Sequence, residues 1–290
     1  MVSQAPCVAY IHEPFSVTDA PGPGICDVRF RYWFTHVTSA NEARYYGPLR
    51  RMLELKYNLL AALASARAPK DLKSSWAEYK EFSTYRRQGY VPLIKDPIAF
   101  FSAPWLAERF DMSCVVVIRH PAAFVSSVKQ LSWRHPFDHF LQQDLLMNEV
   151  LYPFEAHVRA FASKEQEIID QAILLWRMIH YTAHQYRRTH DDWIFVRHED
   201  LSRQPLRGYH QLFERLGLPF TSTVEEAIQE YSSSRNPHDP AAPVGSEHTL
   251  RRNSEANIHN WRRRLTPGEI GKIRSEVEDI STFFYEDTDW

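Results

Sequence analysis

The chain of 290 residues carries only three cysteines, Cys7, Cys26 and Cys114. Three cysteines cannot build a disulfide framework, and Cys114 lies in an apolar stretch, so a reducing, cytoplasmic compartment is the expectation. There is no run of about 18 apolar residues, hence no candidate membrane-spanning helix, and no signal-peptide pattern opens the chain. The formal net charge is −2, so bulk charge does not point to nucleic acid. Fourteen histidines are present, but no His-Glu-x-x-His and no paired Cys-x-x-Cys, so no metal site is expected. Ser126 and Ser127 lack the flanking glycines of a nucleophile elbow, which makes a serine hydrolase a poor reading. No internal repeat and no low-complexity segment occurs.

What is present is enough apolar material for a large core: 44% of residues are hydrophobic and 24% charged. Strand-like and helix-like segments alternate. Cys7 to His12 reads as a short strand, and residues 15–27, rich in Pro and Gly, as a loop. Residues 42–67 read as one helix and residues 71–88 as a surface helix. Val91 to Lys95 reads as a second strand and Ala99 to Phe110 as a helix. Cys114 to Ile118 is the third strand, followed by a helix from Pro121 to near Trp133. Residues 137–163 are expected to be helical. Glu165 to His190 is the strongest helix, with Ile169, Ala172, Ile173, Trp176, Ile179, Ala183 and Tyr186 on one core face. Trp193 to Val196 is the fourth strand, and a helix over about 203–216 stops at Gly217. Residues 232–248 read as a long mobile loop of the kind that often covers a site. A last helix runs from Thr266-Pro267 to about Tyr285. Such alternation implies an α/β domain with a parallel sheet and ligands at the strand C-terminal ends.

The most informative stretch is Ser113 to Ser127. A β-branched run, Val115 to Ile118, ends in the cation Arg119. Pro121 then opens a helix-like segment with Ser127 eight positions beyond the arginine. An arginine at a strand tip beside a helix N-terminus makes a place for phosphate.

This spacing resembles the 3′-phosphate segment of sulfotransferases that use 3′-phosphoadenosine 5′-phosphosulfate (PAPS), of the bacterial type related to the carbohydrate and glycosaminoglycan enzymes. Other segments resemble the same family in the same order. Ile11-His-Glu-Pro-Phe15 is similar to the substrate-side strand end. Leu93-Ile-Lys-Asp-Pro97 is similar to the Lys-x-Pro segment. Trp193 to Leu201 is similar to the strand that ends beside the adenine. Arg251-Arg-Asn-Ser254, with Trp261 and Leu265-Thr266, is similar to the basic segment that closes over the 3′-phosphate. The resemblance covers nearly the whole chain and implies a single domain over residues 1–290, a three-layer parallel sheet of the P-loop nucleotide-binding type with extra helices.

The function it implies is sulfuryl transfer from PAPS, without a metal, to a hydroxyl or amine of a carbohydrate or small metabolite. By analogy with phosphoryl transfer, catalysis then rests on positioning and charge stabilisation, plus one group to take the acceptor's proton. Glu13 is the first candidate base and His12 its competitor. As neighbours in a strand the two should point to opposite faces. Lys95 is the candidate that balances negative charge on the transferring group, while Asp96 reads as a turn or cap residue. For the nucleotide, the resemblance implies Arg119 and Ser127 on the 3′-phosphate, His198 against the adenine, and Arg251 and Arg252 as a clamp. Glu199 and Asp200 read as helix caps. The acceptor's identity is open, and so is self-association.

One departure stands out. The family's 5′-phosphosulfate loop, Gly-x-x-(Lys or Arg)-Ser-Gly-Thr-Thr, should precede the first strand by about twenty residues, and nothing in this sequence matches it. The loop's own central strand is missing with it. Met1 is therefore expected to be an internal start, or the chain a fragment, with a sheet lacking its middle strand and poor stability as the consequence. The alternative is a non-catalytic remnant that keeps only 3′-phosphoadenosine binding or an interaction role. A P-loop nucleotide kinase relative is a weaker third reading, since no Walker lysine is present.

Overall fold

Four short apolar runs form strands in the computed structural model, which describes residues 1–237 and 251–290. They are Val8–His12 (β1), Val91–Lys95 (β2), Val115–Ile118 (β3) and Ile194–Arg197 (β4). β1 and β2 run parallel, with Val8 opposite Val91 and His12 opposite Lys95. β3 and β4 run parallel, with Val115 opposite Ile194 and Ile118 opposite Arg197. Among the described residues each strand has one partner, so the four make two pairs. The protein is mixed α/β, mostly helical with short parallel sheets. Among the described residues no helix is long and apolar enough to cross a membrane.

The chain divides into two compact units, each assembled from separate stretches. The first comprises Val2–Met112 with His139–Met147 and holds β1 and β2. Its core gathers Ile11 from β1, Phe15, Phe30 and Val37 from the long connection after β1, and Met52, Phe82 and Trp105 from helices. Phe15 stacks on Phe30 at 4.1 Å, and Phe30 on Tyr45 at 5.2 Å. The Pro/Gly-rich connection is therefore a packed part of the core despite its lack of regular structure. The helix expected over residues 42–67 is broken. A 3-10 turn, Glu42–Arg44, precedes helices Tyr46–Leu53 and Leu59–Ser65, and Leu55 between them has a positive φ of 53°. Such a backbone cannot continue a right-handed helix. Asn58 restarts the chain by accepting the Ala61 N–H. The surface helix spans Pro69–Arg87, and only Phe82 and Ser75 on it are buried.

The second unit comprises Ser113–Asp138 with Asn148–Trp290 and holds β3 and β4. Helix Ile168–Thr189 is its spine; of the face read from the sequence it buries Ala172, Ile173, Trp176, Ala183 and Tyr186 but leaves Ile169 and Ile179 half-buried, and it also buries Leu174, Leu175 and Met178 off that face. Helices Pro121–Gln130 and Pro267–Ser281 pack against it. The Pro267–Ser281 helix starts in a capping box, Thr266 accepting the Glu269 N–H and the Glu269 carboxylate accepting the Thr266 N–H. Residues 137–163 are several short pieces: Asp138–Leu141, Asp144–Glu149, a 3-10 turn Tyr152–Phe154, and Glu155–Ser163. Helix His198–Arg203 begins directly after β4, five residues before the start read from the sequence, and Pro205–Arg215 follows it. Gly217, with φ +64°, ends that run as expected. Most of the loop read over 232–248 lies outside the described residues.

Candidate functional site

Two clusters gather at strand ends, one in each unit. The first is built on the turn after β3. Pro121 sits at the first position of helix Pro121–Gln130, where a missing N–H costs nothing. The Arg119 backbone just ahead of it is held from both sides: its carbonyl accepts the Trp176 Nε1–H at 2.9 Å, and its N–H donates to His180 Nε2 at 3.4 Å. Trp176 and His180 themselves stack at 4.1 Å. With the backbone anchored, the Arg119 side chain turns to the helix it precedes, and Nη2 donates to Ser127 Oγ at 3.1 Å. The eight-residue spacing read from the sequence is thus a direct contact. Among the described residues the buried Arg119 Nε has no acceptor.

The surroundings of Arg119 are cationic. Burial holds its guanidinium below its ordinary value; Glu199 opposes this, and Arg252 and Arg264 add to it. His198, the first residue of its helix and 36% exposed, has its imidazole lowered to about 4, by burial first and then by Arg119. Its Nδ1 lies 4.0 Å from Glu199. Glu199 is buried, and its oxygens accept the His120 N–H at 3.0 Å and the Tyr285 O–H at 2.9 Å. The expectation that Glu199 caps a helix is therefore corrected: it ties the β3 turn to the C-terminal segment. Asp200 instead pairs with Arg203 at 3.3 Å and lies 3.7 Å from Arg197. Next to Arg119, His120 is buried in an aromatic box of Trp261, Tyr285 and Trp290, and among the described residues neither ring nitrogen has a hydrogen-bond partner. Burial lowers it to about 3, so it stays neutral.

Of the residues the sequence singled out, Arg119, Ser127, His198 and Arg252 come together, and Arg251 does not. Its Nη2 meets Glu230 at 2.6 Å, and its guanidinium lies over Tyr231. Arg264 also acts on Arg119 through its charge, and the sequence reading missed it. Its signal was there, in the run Arg262 to Arg264 between Trp261 and Leu265. The donor set fits a phosphate dianion: several guanidinium groups, a serine hydroxyl, and a buried Arg119 Nε–H with no acceptor.

The second cluster joins the ends of β1 and β2. Lys95 Nζ donates to Glu13 Oε1, and the Glu13 N–H donates to the Lys95 carbonyl at 3.0 Å. Glu13 has left the strand, with a positive φ of 40°. That turn overrides the alternation that would send His12 and Glu13 to opposite faces. His12 Nε2 lies 4.0 Å from Glu13 Oε1, and its Nδ1 is 2.9 Å from the Tyr10 hydroxyl. The sequence reading of the pair is corrected accordingly: both side chains belong to one cluster. The group is accessible, His12 being 57%, Lys95 52% and Glu13 20% exposed. Asp96 caps the following 3-10 turn, accepting from Ile98 and Ala99, and it also accepts the Phe15 N–H at 2.7 Å. It works as a turn residue, as read.

No protein-family model matches the chain, and no curated protein matches it. Among solved structures, a sulfotransferase domain from the curacin biosynthetic pathway is similar at 12% identity, with a TM-score of 0.43. The match covers 94% of this chain and 97% of that one.

Proposed function

We propose that the chain is a PAPS-dependent sulfotransferase acting on a hydroxyl or amine of a carbohydrate or small metabolite. The observation that carries this reading is the Arg119–Ser127 contact, with the Arg119 Nε–H buried and unused among Arg252, Arg264 and His198. A buried donor without an acceptor costs about 1–3 kcal/mol. An anion at this place removes that cost and the mutual repulsion of the cations. Arg119, Ser127 and Arg252 hold the 3′-phosphate, Arg264 adds charge, and His198 borders the adenine. PAPS, when bound, supplies the sulfuryl group.

In the other unit, the Glu13 carboxylate takes the acceptor's proton, a role worth roughly 10²–10⁴-fold in rate. Lys95 holds that carboxylate in place and offers its charge to developing negative oxygen. His12, 4.0 Å from Glu13, is the second candidate for the proton.

A second reading is nucleotide binding without transfer. It is favoured by the division of the chain into two units, with Arg119 and Ser127 in one and Glu13 and Lys95 in the other, so that one function does not require the other. Isothermal calorimetry tests the shared part. 3′-Phosphoadenosine 5′-phosphate is expected to bind at least about tenfold tighter than adenosine monophosphate, through charge-assisted contacts to the extra phosphate. Equal affinity for the two overturns both readings. Labelled sulfate passing from PAPS to any member of an acceptor panel then selects the first over the second.

A further inference from the structure

A groove of about 890 Å³ runs along β4, within the unit that holds β3 and β4. Its lining includes none of Arg119, Ser127, His198 or Arg252, so it is distinct from the phosphate cluster. Five arginines line it: Arg187, Arg197, Arg203, Arg207 and Arg215. The acidic lining residues are Asp191 and Asp200. Arg197 and Arg203 are already engaged with Asp200 and Asp289. Among the described residues Arg207 reaches the Gln204 side-chain carbonyl, at 3.4 Å. Among the described residues Arg187, Arg207 and Arg215 have no carboxylate partner, and all three are exposed. The groove therefore carries unspent positive charge on a chain whose net charge is −2.

The second observation is the strand itself. Among the described residues β4 pairs only with β3. The Ile194 N–H donates to Cys114 O at 2.9 Å, which sets the phase of the parallel ladder. Ile194 and Val196 turn their backbone groups to β3, and Phe195 and Arg197 turn theirs to the open side. Phe195 is itself in the groove lining and only partly buried. An open strand edge is a template for a further strand. Charge on an edge ordinarily guards against that, but lysine or arginine guards only against neutral and basic chains.

We propose that this groove receives an extended acidic peptide segment of a partner protein, added as a strand along β4. Its backbone pairs with Phe195 and Arg197, and its carboxylates meet Arg187, Arg207 and Arg215. The inference rests on the edge and the charge together and is independent of the nucleotide reading.

Fluorescence anisotropy with a short labelled peptide alternating glutamate and threonine tests it, on the full chain. Three comparisons decide. The same peptide with lysine for glutamate is expected to bind at least about tenfold more weakly. The acidic peptide with its edge-facing amides N-methylated is expected to lose a similar factor, since it cannot pair with the strand. The R207E/R215E double substitution, on exposed side chains, is expected to do the same. Equal binding of the acidic and basic peptides overturns the proposal. So does undiminished binding of the N-methylated peptide, or equally tight binding of an oligonucleotide of the same charge, because either makes the groove a general polyanion site. The peptide comparisons use the unaltered chain, so they hold whether or not the double variant folds.

Discussion

Both units place a cation at the end of a parallel strand pair, and they treat it in opposite ways. At the end of β2, Lys95 is half exposed and donates to Glu13, whose carboxylate neutralises it. Past the end of β3, the Arg119 Nε is buried, and a carboxylate that acts on it, Glu199, spends its oxygens on the His120 N–H and the Tyr285 O–H. The first arrangement is complete as it stands and open to solvent, which suits groups that must exchange a proton. The second holds its cation out of water beside other arginines, which suits a site for a fixed anion. Burial sharpens the contrast, because an uncompensated charge costs far more out of water than at the surface.

The largest effect is expected where the comparison assigns chemistry. In a sulfate-transfer assay, Glu13→Gln is expected to lower turnover about a hundredfold or more, with affinity for 3′-phosphoadenosine 5′-phosphate nearly unchanged. Near-normal turnover would transfer the proton-accepting role to His12. A large loss of nucleotide affinity would erase the division of labour between the two clusters.

Next comes the Arg119 side. Arg119→Ala is expected to weaken 3′-phosphate nucleotide binding by about tenfold or more, the loss of a charge-assisted contact worth about 1.5–3 kcal/mol. Adenosine monophosphate, which lacks that phosphate, should lose far less. If calorimetry shows the two nucleotides weakened alike, Arg119 serves the turn and not the phosphate.

A smaller effect reads the burial itself. His120 and His180 are both held near 3 in the folded chain, chiefly by burial, against about 6.5 when unfolded. Between those values the unfolded chain binds protons that the folded one refuses, so stability falls as pH drops from about 6.5 toward 3. His120→Phe removes a ring whose nitrogens have no hydrogen-bond partner and keeps an aromatic body between Trp261 and Trp290. Urea denaturation should show that variant more stable by about 1 kcal/mol at neutral pH, with a shallower decline on acidification. A loss of stability at pH 7 would mean that the imidazole has a polar task in the box.

These clusters were not equally legible in the sequence. Short apolar and β-branched runs marked all four strands to within a residue, although β2 buries none of its residues and β3 and β4 bury one each. Arg119 and Ser127 were legible as a pair only through the resemblance; their direct contact, across the turn that Pro121 opens, was not. Glu13 was legible as a candidate but not its neighbourhood. Nothing in Ile11-His-Glu-Pro announces a left-handed residue at Glu13, and that one dihedral brings His12 and Glu13 into a single group. Glu199 was misread because its partners are His120 and Tyr285, far away in sequence. Its own neighbours, at a helix start, all favour a cap. The break at Leu55 was equally silent, for the apolar period on either side of it continues unbroken.

The smallest effect is the most discriminating test of the phosphate cluster, because it separates two adjacent arginines. Spacing alone cannot distinguish Arg251 from Arg252, and the resemblance offers both. The structure parts them: Arg251 is tied to Glu230 and lies over Tyr231, while Arg252 is close enough to depress both Arg119 and His198. Arg251→Ala is therefore expected to leave nucleotide affinity within about twofold. An exposed ion pair contributes little to stability, so its melting temperature should barely move. Arg252→Ala is expected to weaken 3′-phosphoadenosine 5′-phosphate by about tenfold, as a lost phosphate contact does. Calorimetry on the two single substitutions side by side decides the matter. Equal losses would mean that charge near the cluster acts at long range and that no single guanidinium is placed on the phosphate. Loss at Arg251 alone would mean that the segment rotates by one residue when the anion binds, exchanging Glu230 for the ligand.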